Sequence, residues 1–127
     1  MTKLQKSVVD AWVRALRSGN YQQTEGRLRR QAGKDYSYCC LGVLTEVCKR
    51  FFPDKEQDLE DSLIRHSLLD AEIFIGDLGF KSCSPTVEGA PSSLILMNDT
   101  SRMTFDQIAD VIETNPESLF KSEEIVV

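Results

Sequence analysis

The sequence predicts a mainly α domain of the α+β type, carrying one short β-hairpin near residues 23–38. Three observations predict it. Apolar residues recur at three- and four-residue steps in several segments, as amphipathic helices require. Gly19, Pro53 and Gly79 fall where those segments end. The chain has 127 residues, 41% of them hydrophobic and 28% charged, which supplies one core and matches one domain over residues 1–127.

Leu4, Val8, Ala11, Trp12, Ala15 and Leu16 form the stripe of the first helix, and Ser18, Gly19 and Asn20 end it, with Gly19 as a left-handed cap. On this stripe Trp12 is a core residue rather than a stacking surface. Residues 21–30 read as extended, because Gly26 weakens a helix, and residues 31–35, with Gly33 inside, read as a turn. Together they give the hairpin. Ser37 then caps a helix over residues 39–52, with Cys40, Leu44, Val47, Cys48 and Phe51 on its apolar stripe and Pro53 closing it.

Residues 54–61 are acidic and polar, and read as a solvated linker or a first helical turn. Residues 63–69 make a short helix carrying His66. Residues 69–78 follow, with Ile73, Phe74 and Leu78 on one side and Gly79 at the end. Pro85, Gly89 and Pro91 make residues 81–92 a loop, and residues 93–98 form one more short helix. The last helix has the strongest local signature: Thr104 and Gln107 make a capping box, Met103 and Ile108 occupy the staple positions, and Phe105, Ile108, Ala109 and Ile112 give the stripe. Beyond Pro116 the chain is polar and ends in Ile125-Val126-Val127, so residues 115–127 are expected to fray as a tail.

No apolar run approaches the roughly 18 residues that a membrane span needs. The lysines near Met1 precede a polar-patterned helix rather than an apolar signal core. The expectation is a cytoplasmic protein with no membrane partner. Of the four cysteines, Cys39 and Cys40 are adjacent, and no C-x-x-C spacing occurs, so Cys39, Cys40, Cys48 and Cys83 read as reduced thiols. A redox or nucleophilic role would need a base nearby, and His66 is the one histidine. It has no metal-spaced neighbour. Dinucleotide, P-loop, nucleophile-elbow and zinc-protease motifs are all missing. The chain is therefore read as a non-enzyme without metal or cofactor.

The net charge of −5 hides a split. Residues 1–34 carry eight basic and two acidic residues, a net +6, whereas the rest carry seven basic and eighteen acidic, a net −11. Within the basic third, Arg27, Arg29 and Arg30 are the best candidates for ligand contact. On a strand, alternate side chains share a face, so Arg27 and Arg29 present two guanidinium forks about 7 Å apart, suited to one phosphate or a pair. Arg30 faces the other way. Tyr21 and Tyr36 flank the site with rings on which bases stack. The plain alternative is that these arginines pair with the chain's own acids or stand in water.

Asn98 and Asp99, ahead of the capped last helix, are candidate polar contacts on a ligand-facing loop. Equally, Asn98 caps the preceding helix and Asp99 starts a turn. The run Asp58, Glu60, Asp61 is a solvated face or a surface offered to a basic partner. Nucleic acid is disfavoured as a partner by the negative total charge and the shortness of the basic patch. Self-association is left open.

Three segments carry a resemblance. The first runs from Ala11-Trp12-Val13-Arg14 to Tyr21-Gln22-Gln23, followed by Gly26-Arg27-Leu28-Arg29; the second is Tyr38-Cys39-Cys40-Leu41-Gly42-Val43-Leu44; the third is Leu96-Met97-Asn98-Asp99 with Phe105-Asp106-Gln107-Ile108-Ala109. In this order, over about residues 8–113, the chain resembles a family of small proteins encoded by tailed bacteriophages and prophages, mostly of unassigned function. The resemblance implies an accessory protein acting in the cytoplasm of an infected bacterium. Such proteins often counter host immunity, by sequestering nucleotide signals, by binding defence proteins or by mimicking DNA. Where relatives often carry a tryptophan before the loop, this chain has Phe74 or Ile75.

Two expectations of function follow. The first is a non-catalytic module that sequesters a phosphate-bearing, cyclic nucleotide-like signal through Arg27, Arg29, Arg30, a tyrosine, Asn98 and Asp99. The second is an inhibitor that binds a host defence protein through its acidic surface, with nucleic-acid mimicry as one form. An enzyme acting through Cys39 or Cys40 is a third, weaker reading.

Overall fold

The computed structural model describes residues 1–65 and 69–122. The expectations for His66 and for Ile125-Val126-Val127 lie outside the described residues. The protein is mainly helical, with a small three-stranded sheet. Among the described residues no helix is long and apolar enough to cross a membrane.

The first helix, α1 (Lys3–Arg17), opens with a capping box: Thr2 Oγ1 accepts from the Gln5 backbone, and Gln5 Oε1 accepts from that of Thr2. It buries Val8, Val9, Trp12, Val13 and Leu16. Leu4, expected on that stripe, is exposed, because the apolar face drifts around the helix to the side held by Val9 and Val13. Gly19 has the left-handed conformation predicted for it, with φ +77°.

Strands β1 (Gln22–Gln23), β2 (Arg29–Ala32) and β3 (Asp35–Tyr38) form a sheet in the order β1-β3-β2. The hairpin is present but shorter than expected. β2 and β3 pair antiparallel from Arg29↔Tyr38 to Ala32↔Asp35. The turn is therefore only Gly33 and Lys34, not residues 31–35. Its φ of +65° at Gly33 suits a two-residue turn with glycine first. β1 adds a pairing the sequence did not announce, parallel to β3.

Helix α2 (Cys40–Phe51) is the centre of the molecule. It packs on α1 and on the two helices α3 (Glu56–Arg65) and α4 (Leu94–Asp99). Its expected stripe is buried apart from a half-buried Phe51, but so are Leu41, Gly42, Val43 and Thr45, so the helix is enclosed on every side from Cys40 to Thr45. Ser37 lies in β3 and is not the cap. Cys39 holds that place, its thiol accepting from the Gly42 backbone at 3.4 Å.

Residues 56–61 belong to α3, with Leu59 and Leu63 turned to the core. Of the two expectations for residues 54–61, a linker or a first helical turn, the helical one holds from Glu56 on, and the apolar pair four residues apart favours it. Next comes a wide π-helical turn, Ala71–Asp77, capped by Asp70 and closed at Gly79. Ser93 caps α4, and the last helix, α5 (Phe105–Thr114), has the predicted capping box and the predicted buried stripe.

Residues 115–122, expected to fray, are seated. Pro116–Leu119 forms a 3-10 turn, Leu119 and Phe120 are buried, and Phe120 stacks on Phe80 at 4.9 Å between ring centroids. Lys81 N–H to Leu119 O (3.0 Å) and Lys121 N–H to Gly79 O (2.8 Å) stitch the two segments together. Two phenyl rings buried face to face outweigh the polar composition around them.

Candidate functional site

Cys40 and Asn98 organise the region where the expected contacts were placed. Trp12 Nε1 donates to Cys40 O at 2.9 Å, Cys40 N–H donates to Asn98 Oδ1 at 3.2 Å, and Cys40 Sγ–H reaches Leu94 O at 3.6 Å. Asn98 is wholly buried. Its Oδ1 also accepts from Gln23 Nε2 (2.8 Å), while its Nδ2 donates to Thr24 O and to Asp99 Oδ1, both at 2.8 Å. Both protons and both lone pairs of the amide are thereby used. Asn98 is accordingly a clamp joining β1, α2 and α4, and has nothing left for a ligand. Nor does it cap a helix, since it lies within α4. Asp99 is half-buried beside it.

The motif around Cys40 is explained by the same packing. Tyr38 hydroxyl donates to Glu46 at 2.7 Å; burial and that bond push its pKa up. At Gly42 a Cβ would stand 1.8 Å from Leu28 O, so the carbonyl before β2 rests directly on the helix. No larger residue fits there.

The three candidate arginines do not converge. Arg29 is paired with Glu60 by two hydrogen bonds, 2.9 and 2.6 Å, with only 9% of its side chain exposed. Tyr36 lies against it, its ring centroid 4.3 Å from the guanidinium carbon, so this ring covers Arg29 rather than flanking a ligand. Lys49 joins the group, 2.7 Å from both Glu46 and Glu60. Hydrogen bonding to Arg29, helped by Lys49, holds the Glu60 carboxyl at about 2, and bonding to Glu60 raises Arg29. Arg27 precedes β2 in an exposed bend, so it shares no strand face with Arg29.

Arg30 alone opens onto a cleft. The cleft holds about 500 Å³ and is lined by Gln23, Thr24, Glu25, Arg30, Asn98, Arg102 and Met103. Gln23 is part of its lining, both Nε2 protons spent on Asn98 Oδ1 and Met103 O, which leaves Oε1 as its acceptor for an incoming donor. Arg30 reaches only Glu25 O, at 3.4 Å, and Arg102 Nε stands 3.9 Å from Glu25. Contacts this long and exposed hold neither guanidinium firmly.

Arg102 was missed by sequence reasoning. It has φ +52°, the sole non-glycine with a positive φ among the described residues, and nothing in the string Ser101-Arg102-Met103 announces it. Gln23 was missed as well, hidden within a polar strand. Tyr21 faces a different cleft, held edge-on against Tyr38 with centroids 5.3 Å apart.

Burial raises the thiols of Cys39, Cys40 and Cys48. It pushes Cys39 up to about 11, Cys48 up to about 12, and Cys40 well above the ordinary range, so these thiols stay protonated and poorly nucleophilic at neutral pH. Among the described residues no group of three or more His, Cys, Asp or Glu is placed to hold a metal. A family model described as "Domain of unknown function (DUF8296)" matches residues 4–68, a stretch that takes in α1, the sheet, α2 and α3 and stops short of Asn98 and Arg102. No curated protein and no solved structure matches the chain.

Proposed function

The chain belongs to DUF8296, a domain family of unknown function, and from its own geometry we propose that it is a non-catalytic binding module for a phosphate-bearing ligand with nitrogen donors, of the kind a cyclic nucleotide presents. Arg30 and Arg102 take the phosphate from the two rims of the cleft, and Gln23 Oε1 accepts from the base. One observation carries the reading: Arg102 is held in a left-handed conformation, which costs an L-residue roughly 1–2 kcal/mol, and that conformation puts it on the rim of the same polar cleft as Arg30. Strain retained at a cationic rim residue favours a binding role over an accident of packing.

Sequestration is the activity such a site performs, since binding alone removes a signal. The resemblance to phage accessory proteins supports reading this as a counter to host defence in the cytoplasm of an infected bacterium. The test is thermal shift against a panel of cyclic and linear nucleotides. A rise in Tm that Arg30→Ala and Arg102→Ala each reduce supports the reading; no rise with any nucleotide at millimolar concentration overturns it.

A second reading has its own supporting observation. On α3, Ile64 is 65% exposed, three residues after the half-buried Asp61, and the exposed Asp58 lies three residues before Asp61. An apolar residue among acids is what a basic protein partner would cover. Glu60 no longer counts toward this surface, being committed to Arg29 and Lys49. Affinity purification with Asp58→Lys and Asp61→Lys tests it: an unchanged partner list removes the acidic-surface reading.

A further inference from the structure

Clefts indent the described surface in several places, and their charges differ. The cleft of Arg30 and Arg102 also contains Glu25. A second, beside Lys81 and Lys121, contains Glu88 and Glu117. A third, along α1, sets Lys6, Arg14 and Arg17 against Asp10 and Glu113, and Arg17 is paired with Asp110 and Glu113. The fourth, of about 380 Å³, is lined by Ala11, Arg14, Ala15, Ser18, Asn20, Tyr21 and Arg50, with no carboxylate among them. In a chain of net charge −5, this cleft is lined by two cations and no acid, unlike the other three, and it shares Arg14 with the third.

Arg14 comes from the last turn of α1 and Arg50 from the last turn of α2. Both are exposed, and among the described residues neither has an ion-pair partner. Ala11 and Ala15 keep the wall between them shallow, so both guanidinium groups can lean inward without displacing a larger side chain. At the end of α1, Ala15 O accepts from the Ser18 backbone at 3.2 Å and from its hydroxyl at 2.6 Å, so that carbonyl is not left bare. Tyr21, half-buried and braced edge-on by Tyr38, supplies a fixed apolar wall beside the two cations.

We propose that this cleft is a second anion site, separate from the cleft of Arg30 and Arg102, which takes a phosphate monoester attached to a flat apolar group. Two guanidinium forks suit the phosphate oxygens, and Tyr21 suits the group they are attached to. The site does not depend on the nucleotide reading above.

Phenyl phosphate is the probe, titrated into the full chain and followed by amide chemical shifts, with inorganic phosphate alongside. Phenyl phosphate is expected to saturate, to bind more tightly than inorganic phosphate, and to shift amides of residues 14–21 and 50. Arg14→Ala and Arg50→Ala should each weaken it about tenfold, the usual worth of one charge-assisted hydrogen bond. Arg30→Ala and Arg102→Ala should leave it unchanged. Both arginines of the site are exposed, and unchanged circular dichroism confirms that the variants fold. Failure to saturate, equal binding by the Arg14 and Arg50 variants, or loss of binding in the Arg30 and Arg102 variants overturns the proposal. Loss of nucleotide binding alone would overturn the earlier reading and leave this one standing.

Discussion

The side-chain oxygen of Asn98 and the backbone N–H of Cys40 meet at 3.2 Å in a fully buried position, which ties α4 to the first turn of α2. Through Trp12 on one side and Thr24 on the other, that contact joins four segments far apart in sequence. Asn98→Ala would strand the buried Cys40 N–H and take the partner from one Gln23 proton and from Thr24 O. Each orphaned group costs about 1–3 kcal/mol, so urea denaturation should show a loss of roughly 2–4 kcal/mol. A loss below about 1 kcal/mol would mean that water takes the place of the amide.

Gly42→Ala separates helix preference from packing. In an open helix this exchange is favourable by about 1 kcal/mol. Here the new Cβ would overlap Leu28 O at 1.8 Å, and a backbone carbonyl cannot rotate away. The variant should lose more than about 3 kcal/mol or fail to accumulate as folded protein. A Tm at or above that of the parent would show that the hairpin does not rest on α2.

Glu60 predicts a pH dependence. Its carboxyl is held at about 2 against an ordinary 4.5, chiefly by hydrogen bonding to Arg29. A depressed carboxyl stabilises the fold above its unfolded value and loses that contribution as pH falls toward its folded one. Glu60→Gln should therefore cost roughly 2–3 kcal/mol at neutral pH, and the gap between the two proteins should narrow from pH 4.5 down to about 2. Denaturation series at pH 7, 4 and 2.5 check this. A gap that stays constant would contradict the pairing.

The thiols predict a reactivity pattern. Cys39, Cys40 and Cys48 are buried, while Cys83 is half-exposed. Ellman's reagent at pH 8 should titrate one thiol quickly in the native protein and the other three only after unfolding. Two or more fast thiols would reopen a chemical role for Cys39 or Cys40.

Arg102→Gly tests whether strain and binding are linked at one residue. Glycine adopts the left-handed conformation without penalty, so the variant should be as stable as the parent or gain up to about 1 kcal/mol. It should also lose affinity for any nucleotide that the parent binds. A clear loss of stability would show that the Arg102 side chain serves the fold.

Local patterns were enough for much of this architecture. The capping box of Thr104 and Gln107, the left-handed Gly19, the stop at Pro53 and the stripe Phe105, Ile108, Ala109, Ile112 depend on neighbours within four residues, and each was legible in the string. The seating of residues 115–122 was not, because Phe120 is held by Phe80, forty residues away. The candidate site was only partly legible. Arg30 was identified, yet its companions Gln23 and Arg102 were not, and Arg27, Arg29 and Tyr36 went elsewhere.

What the sequence by itself determined is where α1, α2, α4 and α5 form and most of the apolar stripe of α1 and α5, since spacing and capping act over one or two turns. Which charges remain free was decided only by the tertiary structure. Arg29 and Arg30 are adjacent and chemically identical, but a strand turns them to opposite faces, and α3 brings Glu60 to one face and not the other. Coulomb attraction depends on distances through space, and those distances are set by how the helices stack.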